Sequence, residues 1–320
     1  MEYVKLGKTD LKISRIGLGT WQFSSSWGVE DYETARNIIK TALEQDINFF
    51  DTAMVYGGGL SEDFLGRAFR ELSVKRDEIV IATKIPGDFL DPYDVYKSID
   101  ASLKRLRVKY IDLMQLHWPP CWHNHPTCPY ARALERLVKL GKIRYIGVSN
   151  YPIALIEELR TCFSTIDIVS MQHRYNLVER QAEIELIPYA EKNGLVFLPW
   201  SPLAKGALTG KYTPENLPEF NDVRQRDPVF HKSSFKKIWP LVKELIELAK
   251  KYDKTPAQVA LNWLITYSSN IVPIPGAKNE KQVIDNANAV GWRLSYEDWR
   301  RLDELSRNIR ISYSVWYVES

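Results

Sequence analysis

The sequence has few cysteines, no long apolar segment and no signal-peptide pattern at its start. Its 320 residues include three cysteines, Cys121, Cys128 and Cys162, an odd number that is too small for a disulfide scaffold. Nowhere do about 18 apolar residues follow one another, as a transmembrane helix would require. The first residues, MEYVKLGKTD, lack the apolar core of a signal peptide. We therefore expect a cytoplasmic protein with no membrane partner.

The charge of the chain is low and evenly spread. The 43 Lys and Arg residues and the 40 Asp and Glu residues give a net charge of +3, and long runs of like charge are absent. This pattern argues against a nucleic-acid partner. With 45% hydrophobic and 26% charged residues, the chain has an ordinary globular composition and can bury a substantial core.

Short apolar runs rich in β-branched residues alternate with amphipathic segments along the chain. In the first amphipathic segment Ala35, Ile38, Ile39 and Ala42 have the spacing of one helix face. A strand followed by a helix, repeated eight times, predicts a parallel sheet with right-handed crossovers, and the length fits a (β/α)8 TIM barrel. We interpret residues 1–320 as one such α/β domain. The predicted strands are 16–20, 47–51, 79–84, 111–117, 143–149, 168–173, 195–200 and 271–275.

Two segments lie outside the eightfold repeat. Residues 2–14 alternate around Gly7-Lys8-Thr9-Asp10, which predicts a β-hairpin over the N-terminal end of the barrel. Residues 203–232 form a long insertion before an extra helix, and a loop of that length is expected to be functional or mobile.

A doubly wound dinucleotide-binding sheet is the main alternative architecture. It is expected to carry G-x-G-x-x-G between its first strand and helix. Here the first strand-like run reads GLGTWQ from Gly17 to Gln22, so the third glycine is absent. The barrel is therefore favoured.

Four polar residues stand at or just past the ends of predicted strands. Asp51 and Tyr56 lie in FFDTAMVYG, Lys84 ends IVIATK and His117 ends YIDLMQLHW. In a parallel barrel these side chains converge on one mouth. An unperturbed phenol has a pKa of about 10, so it donates a proton near neutrality only when an adjacent group, such as an ammonium, favours its anion. A carboxylate would fix that ammonium, and a histidine would orient the substrate oxygen.

These motifs resemble the aldo-keto reductase family over nearly the whole length of the chain. The resemblance includes GLGTW, DTAMVYG, IATK, LHWP, YIGVSN and PGAKN, and it makes Asp51, Tyr56, Lys84 and His117 the catalytic tetrad. FLPWSPLAKGALTGKY and GAKNEKQVIDN most resemble the branch that includes potassium-channel β subunits. The resemblance implies a barrel that binds NADPH extended across its strand ends.

The same resemblance assigns cofactor contacts, each with a chemical reason. Amide and hydroxyl groups would hold the nicotinamide carboxamide, and an aromatic ring would stack on the nicotinamide. Backbone N–H groups and ammoniums would surround the pyrophosphate, and a helix start would take the 2′-phosphate. The nicotinamide residues are Ser149, Asn150, Gln172 and Trp200, and the pyrophosphate residues are Ser201, Leu203, Ala204, Lys205 and Lys211. Arg224, further along the chain, is a further candidate for the pyrophosphate. The residues at the adenine end are Gly276, Lys278, Gln282, Asp285 and Asn286.

Several of these assignments have a simpler alternative. Lys278 could be a solvated surface lysine, and the family usually has Glu where this chain has Asp285, which makes the adenine contact shorter or absent. Trp21 and Trp118 could be core aromatics, but both follow strand ends, so we predict that they form the substrate pocket wall. Other predicted walls are residues 24–30 and 89–93, the loop after His117, and residues 316–317.

The segment CWHNHPTC offers a different chemistry. Cys121, His123, His125 and Cys128 are the ligand types of a structural zinc site. Four ligands within eight residues leave little chain to surround a tetrahedral ion, so we predict no metal. A Cys121–Cys128 disulfide is conceivable, but a reducing cytoplasm argues against it.

We interpret the chain as an NADPH-dependent reductase that acts on a small aldehyde or ketone. Hydride would come from the nicotinamide and the proton from Tyr56, and the same site could run in reverse as an alcohol dehydrogenase. An NADPH-binding regulatory subunit with little turnover is the alternative. Both interpretations expect a barrel, a bound cofactor and an intact tetrad, so only turnover separates them.

Overall fold

The computed structural model describes residues 1–24, 28–120 and 123–311. Seven parallel strands form one sheet in chain order, from β3 to β9, and a separate antiparallel pair joins β1 to β2. The strands are β1 Tyr3–Lys5, β2 Lys12–Ser14, β3 Leu18–Gly19, β4 Phe49–Asp51, β5 Val80–Ile85, β6 Ile111–Leu116, β7 Ile143–Ser149, β8 Ile168–Arg174 and β9 Val196–Trp200. The helices are α1 Tyr32–Glu44, α2 Leu60–Glu71, α3 Pro92–Leu106, α4 Thr127–Lys139, α5 Ile153–Cys162, α6 Leu186–Asn193, α7 Lys232–Tyr252, α8 Pro256–Tyr267, α9 Glu280–Ala287 and α10 Tyr296–Arg307.

The eighth predicted strand closes the barrel without forming a regular strand. Residues 271–276 make isolated parallel bridges to both neighbours, Phe197↔Ile271 and Gly19↔Gly276. The amides of Gly17 and Gly19 donate to the carbonyls of Pro273 and Pro275, at 3.0 and 3.1 Å. Proline has no N–H, so every second position of this segment lacks the donor that a full ladder needs. The prediction of a regular strand at 271–275 was therefore wrong, although the barrel itself is confirmed.

The strands are packed between two apolar layers, one inside the barrel and one outside it. One fills the barrel interior and includes Phe49, Leu113 and Val272, and the hairpin residues Leu6 and Ile13 pack against it. The predicted hairpin thus contributes its own apolar residues to the barrel core, with Val4 paired to Ile13. The second layer lies between the barrel and the helices. Burial from both sides explains why the strands read as continuous apolar runs rather than alternating ones.

Helix α8 begins with a capping box. Thr255 caps α8: its side chain accepts from the Gln258 amide and the Gln258 side chain accepts from the Thr255 amide, with Pro256 at the first helical position. This capping box satisfies two N–H groups that the helix start would leave unpaired. The long helix α7 follows the 203–232 insertion, as predicted.

Cys128 and Cys162, which are 34 positions apart in the sequence, form a disulfide between the start of α4 and the end of α5. The sequence argument considered only a Cys121–Cys128 bond and argued against it, whereas Cys128 is bonded to Cys162 instead. The helices α4 and α5 are neighbours in space, so two cysteines far apart in sequence come within bonding distance, which the count of three could not indicate. Cys121 lies outside the described residues.

We expect reduction of this disulfide to destabilise the fold without abolishing it. Closing a loop of this length stabilises a protein by about 3–4 kcal/mol in the chain-entropy model, and measured values are often lower. The free energy of unfolding should fall when urea titrations are repeated with dithiothreitol. The Cys128→Ser/Cys162→Ser double variant is the control, because its stability should not respond to the reductant.

No helix within residues 1–24, 28–120 or 123–311 is long and apolar enough to cross a membrane.

Candidate active site

Lys84 lies at the centre of the four strand-end residues. It is fully buried in β5, and its Nζ donates to Asp51 Oδ1 at 2.5 Å, to the Thr52 carbonyl at 2.9 Å and to the Tyr56 hydroxyl at 3.1 Å. Parallel pairing of β4 with β5 sets this geometry, since both strands deliver their last residues to the same end of the barrel. Three acceptors satisfy the three N–H groups of one ammonium.

The ammonium form of Lys84 is held by its neighbours. Burial alone would lower the pKa of this lysine, but the attraction of Asp51, followed by that of Tyr56, outweighs burial and raises it. A buried charge without such partners would be very costly. The site therefore presents a permanent positive charge to the phenolic oxygen of Tyr56, which favours the tyrosinate.

The His117 ring stands beside the Tyr56 ring. The two ring centroids are 5.7 Å apart and nearly perpendicular. Burial, followed by the charge of Lys84, lowers the pKa of His117 well below its ordinary value. The imidazole is therefore neutral near pH 7, so it can donate one hydrogen bond to an oxygen in the cleft without adding charge.

The second oxygen of Asp51 accepts from two buried amides. Gln115 Nε2 donates to Oδ2 at 2.9 Å and Gln172 Nε2 at 2.8 Å. Gln172 is a predicted cofactor residue, whereas sequence reasoning missed Gln115. A signal was present, because Gln115 is the polar residue two positions before His117 in the apolar run IDLMQLHW, and alternate residues of a strand face the same side.

Asn150 joins the residues at the nicotinamide end of the predicted cofactor site by hydrogen bonds. This residue has a positive φ of 58°, and its Nδ2 donates to the His117 carbonyl at 3.0 Å and to Ser149 Oγ at 3.1 Å. Its Oδ1 accepts from Trp200 Nε1 at 3.1 Å. The Arg174 guanidinium lies over one face of the Trp200 ring, with its Cζ 4.5 Å from the ring centroid. The nicotinamide ring would then stack on the opposite face.

The loop after β9 has an unusual backbone at three predicted pyrophosphate residues. Ser201, Ala204 and Lys205 have φ values of 49°, 48° and 53°, in the left-handed region that non-glycine residues rarely adopt. Successive left-handed and right-handed residues turn backbone N–H groups toward one concavity, as anion sites require. Lys205 forms an ion pair of 2.8 Å with Asp227, and both side chains are almost fully buried. The predicted residues Leu203 and Lys211 border the same loop, and Lys211 lies over the Tyr212 ring at 5.5 Å.

A cationic cluster forms at the predicted 2′-phosphate site. Burial, followed by the charges of Arg224 and then Lys211, lowers the pKa of Lys278 despite the opposing effect of Asp222. Arg224 donates to Asp222 Oδ1 at 2.9 Å and to the Tyr212 hydroxyl at 2.9 Å, and Lys278 Nζ lies 3.9 Å from Asp222. A lysine whose charge is disfavoured by two neighbouring cations is the arrangement expected of an anion site.

Other predicted residues at the adenine end are partly engaged in local structure. Gln282 accepts from the Lys278 amide at 2.8 Å, and Asn286 donates to the Gly276 carbonyl at 3.3 Å. Asp285 Oδ1 accepts from Thr255 and Gln258 at 2.8 and 2.7 Å. Burial raises the pKa of Asp285, with those two hydrogen bonds acting in the opposite direction. The shorter aspartate is thus bound to the start of α8, and its adenine contact stays a prediction.

Both predicted pocket tryptophans stand next to the tetrad. The Trp21 ring centroid lies 6.3 Å from that of Tyr56, and the Trp118 centroid lies 4.4 Å from that of His117. Val55 and Phe89, which are 38% and 43% exposed, follow β4 and β5 at the same end of the barrel. Residues 25–27, 121–122 and 316–317 of the predicted walls lie outside the described part of the chain.

The alternative zinc set is broken by the disulfide. Cys128 is bonded to Cys162, so it cannot supply a thiolate, and Cys121 lies outside the described residues. The His123 and His125 rings stack on each other at 5.8 Å. Within residues 1–24, 28–120 and 123–311, no group of three or more His, Cys, Asp and Glu side chains could hold a metal ion.

The profile of the Aldo/keto reductase family matches residues 15–307. Among curated proteins, the chain is 36% identical to "Aldo-keto reductase YhdN" of Bacillus subtilis, over 96% of this chain and 94% of that protein. It is 32% identical to "Probable voltage-gated potassium channel subunit beta" of Arabidopsis thaliana, over 91% of each.

Solved structures show the same likeness. The glycerol dehydrogenase AKR11B4 from Gluconobacter oxydans superposes with a TM-score of 0.86 at 32% identity, covering 99% of each chain. An aldo/keto reductase from Klebsiella pneumoniae, solved with NADP and acetate, superposes with a TM-score of 0.73 at 27% identity, covering 92% of each chain. The family resemblance inferred from the motifs is confirmed, and the chain belongs to the aldo/keto reductase family.

Proposed function

We propose that this NADP-dependent oxidoreductase reduces small aldehydes or ketones to alcohols, with Tyr56 as the proton donor. One observation carries the proposal: the buried Lys84 ammonium contacts both the Asp51 carboxylate and the Tyr56 hydroxyl, at 2.5 and 3.1 Å. A lysine held in this way has no packing role that an apolar residue would not fill better. Its charge is useful where a phenol must lose a proton.

The residues along the cleft fit NADPH. The cationic cluster of Lys211, Arg224 and Lys278 suits the 2′-phosphate, and the left-handed backbone around Lys205 suits the pyrophosphate. Ser149, Asn150, Gln172 and Trp200 would hold the nicotinamide. When bound, the cofactor supplies hydride to the carbonyl carbon.

The chain's own residues supply the rest of the chemistry. His117 is neutral and donates to the substrate oxygen, and Tyr56 gives its hydroxyl proton to that oxygen as negative charge develops there. Lys84 stabilises the tyrosinate that remains. Trp21 and Trp118 exclude water beside the reacting carbonyl, which strengthens each of these interactions. Reversal of the same steps would oxidise an alcohol, and cofactor supply would set the direction.

Turnover is the direct test of this proposal. Purified protein should consume many equivalents of NADPH with a panel of small aldehydes and ketones, and stopped-flow traces should show NADP⁺ release on every cycle. A single-turnover burst followed by release over many minutes, for every carbonyl tried, would instead support a regulatory subunit. The likeness to a channel β subunit makes that outcome the relevant alternative.

We expect NADPH to bind more tightly than NADH. A charge-assisted contact to the 2′-phosphate contributes about 1.5–3 kcal/mol, or roughly ten- to a hundredfold in affinity. In fluorescence titrations, Lys278→Ala should reduce the difference in affinity between NADPH and NADH. Lys192→Ala, at an exposed position of α6, should leave that difference unchanged. Equal affinity of the wild type for both cofactors would remove the phosphate site from the proposal.

The location of the protein in the cytoplasm belongs to the same proposal. The Cys128–Cys162 disulfide bears on it, because disulfides are rare where thiols are kept reduced. Fractionation of cells that express the full chain would test it, and recovery of the protein in an extracytoplasmic fraction would contradict it.

A further inference from the structure

Gln115 is a fully buried amide inside the barrel that the catalytic scheme above does not use. It lies beside Lys84 in the register of β5 and β6. Its Nε2 donates to Asp51 Oδ2 at 2.9 Å, and its Oε1 accepts from Gln172 Nε2 at 3.0 Å. Because Gln172 also donates to Asp51 at 2.8 Å, the three side chains form a closed triangle.

The neighbouring strand leaves room for this triangle. Gln115 in β6 pairs with Gly147 in β7, which pairs with Ser170 in β8. A Cβ atom at Gly147 would lie 2.2 Å from Ser170 Oγ and 3.3 Å from Gln115 Cγ. A side chain at Gly147 would therefore displace Ser170 and crowd Gln115, so the glycine leaves room for the Gln115 side chain beside β7.

Donor and acceptor matching fixes which atom Gln172 presents to the cleft. An amide nitrogen has two N–H groups, and those of Gln172 go to Asp51 Oδ2 and Gln115 Oε1. The reverse orientation would place the Gln172 oxygen against a carboxylate. Within the described residues no group donates to Gln172 Oε1, so this oxygen is the atom available to a ligand.

We propose that Gln115 is a positioning residue that locks the Gln172 amide with its oxygen toward the cofactor, so that only a ligand group with an N–H can pair there. The inference rests on the proposed function, because it takes the nicotinamide carboxamide as that ligand group. Gln115 also links the cofactor side of the site to Asp51 and hence to Lys84. An unbranched apolar replacement would remove the acceptor and leave one N–H of Gln172 buried and unpaired.

Two cofactors that differ at the carboxamide test whether Gln115 fixes the orientation of the Gln172 amide. The 3-acetylpyridine analogue of NADPH has a carbonyl group but no N–H at this position. We expect the wild type to bind NADPH about tenfold more tightly than the analogue, the effect of one hydrogen bond. In Gln115→Met, which keeps the side-chain length, the ratio should fall to about two- or threefold, because Gln172 then keeps only its hydrogen bond to Asp51 and its amide plane can pivot about that contact. Gln115→Leu gives a second variant if Gln115→Met does not fold.

Matched variants separate positioning from stability. Asn262→Leu removes another fully buried amide, one that joins α8 to the backbone of Ala289 and Trp292, and it should lower the melting temperature while keeping the tenfold ratio. Gln172→Met should reduce the ratio as far as Gln115→Met does. If both Gln115 variants bound NADPH normally and kept the tenfold preference over the analogue, the role of Gln115 would be overturned. The proposed function would be unaffected by that result. No binding of NADPH by the wild type would overturn the proposed function, and this inference with it.

Discussion

Tyr56→Phe should lower the rate of carbonyl reduction by roughly two to four orders of magnitude, the range for losing a general acid. The substitution removes one oxygen atom, which is the atom 3.1 Å from Lys84 Nζ. It leaves the aromatic ring beside Trp21 and His117 in place. NADPH affinity should stay nearly unchanged, because the cationic cluster at the predicted 2′-phosphate site is untouched.

Single-turnover kinetics with saturating NADPH measure this loss on the chemical step. Tyr296→Phe is the matched control, since Tyr296 is 73% exposed at the start of α10 and should turn over like the wild type. Wild-type rates in Tyr56→Phe would remove Tyr56 from the mechanism. A parallel loss of NADPH affinity would indicate that the phenol acts in binding instead.

The convergence of the tetrad could be predicted because it depends on topology alone. Asp51, Lys84 and His117 lie at the ends of β4, β5 and β6, and successive parallel strands of a barrel deliver their last residues to one mouth. Apolar run length and helix periodicity suffice to place those ends. The resemblance to the family then predicts a role for each residue, and those roles stay predictions.

Contacts between residues far apart in the sequence could not be predicted in this way. The pairing of Gln115 with Gln172 depends on which side chains face the barrel interior and on how far they extend there. The ion pair of Lys205 with Asp227 depends on how the 203–232 insertion folds back. Such loops follow no periodic pattern, so their partners appear only in three dimensions.

The prolines within residues 271–275 show why an apolar pattern alone does not predict the hydrogen bonding of a segment. Residues 271–275 have the apolar pattern of a strand, and they occupy a strand's place between β9 and β3. Pro273 and Pro275 nevertheless remove alternate donors, so the segment makes single bridges and no continuous ladder. An apolar pattern predicts the position of a segment, whereas the count of available N–H groups decides its hydrogen bonding.

Lys84→Met should have an effect on catalysis as large as Tyr56→Phe, and it should also destabilise the fold. Catalysis falls because the ammonium that favours the tyrosinate is lost. Stability falls because Asp51, which is 2% exposed, is left with a buried charge and no cation, and breaking a buried pair in this way costs about 3–5 kcal/mol. Urea unfolding and turnover should both report a loss.

Lys142→Met is a matched control for the stability effect. Lys142 Nζ lies 2.5 Å from Asp100 Oδ1, the same distance as in the Lys84–Asp51 pair, but the two side chains are 37% and 49% exposed. Exposed pairs contribute about 0–1 kcal/mol, so this variant should unfold almost like the wild type. A loss of 3–5 kcal/mol in Lys142→Met as well would show that burial is not the cause.

The double variant Asp51→Asn/Lys84→Met separates the structural effect of Lys84 from its chemical one. Asparagine removes the uncompensated charge and its Oδ1 can still accept from Gln115 and Gln172, so most of the lost stability should return. Turnover should not return, because no ammonium then lies beside Tyr56 and the tyrosinate is unfavourable. If the double variant regained wild-type turnover together with its stability, Lys84 would be a structural residue, and the proton transfer from Tyr56 would need another source of stabilisation.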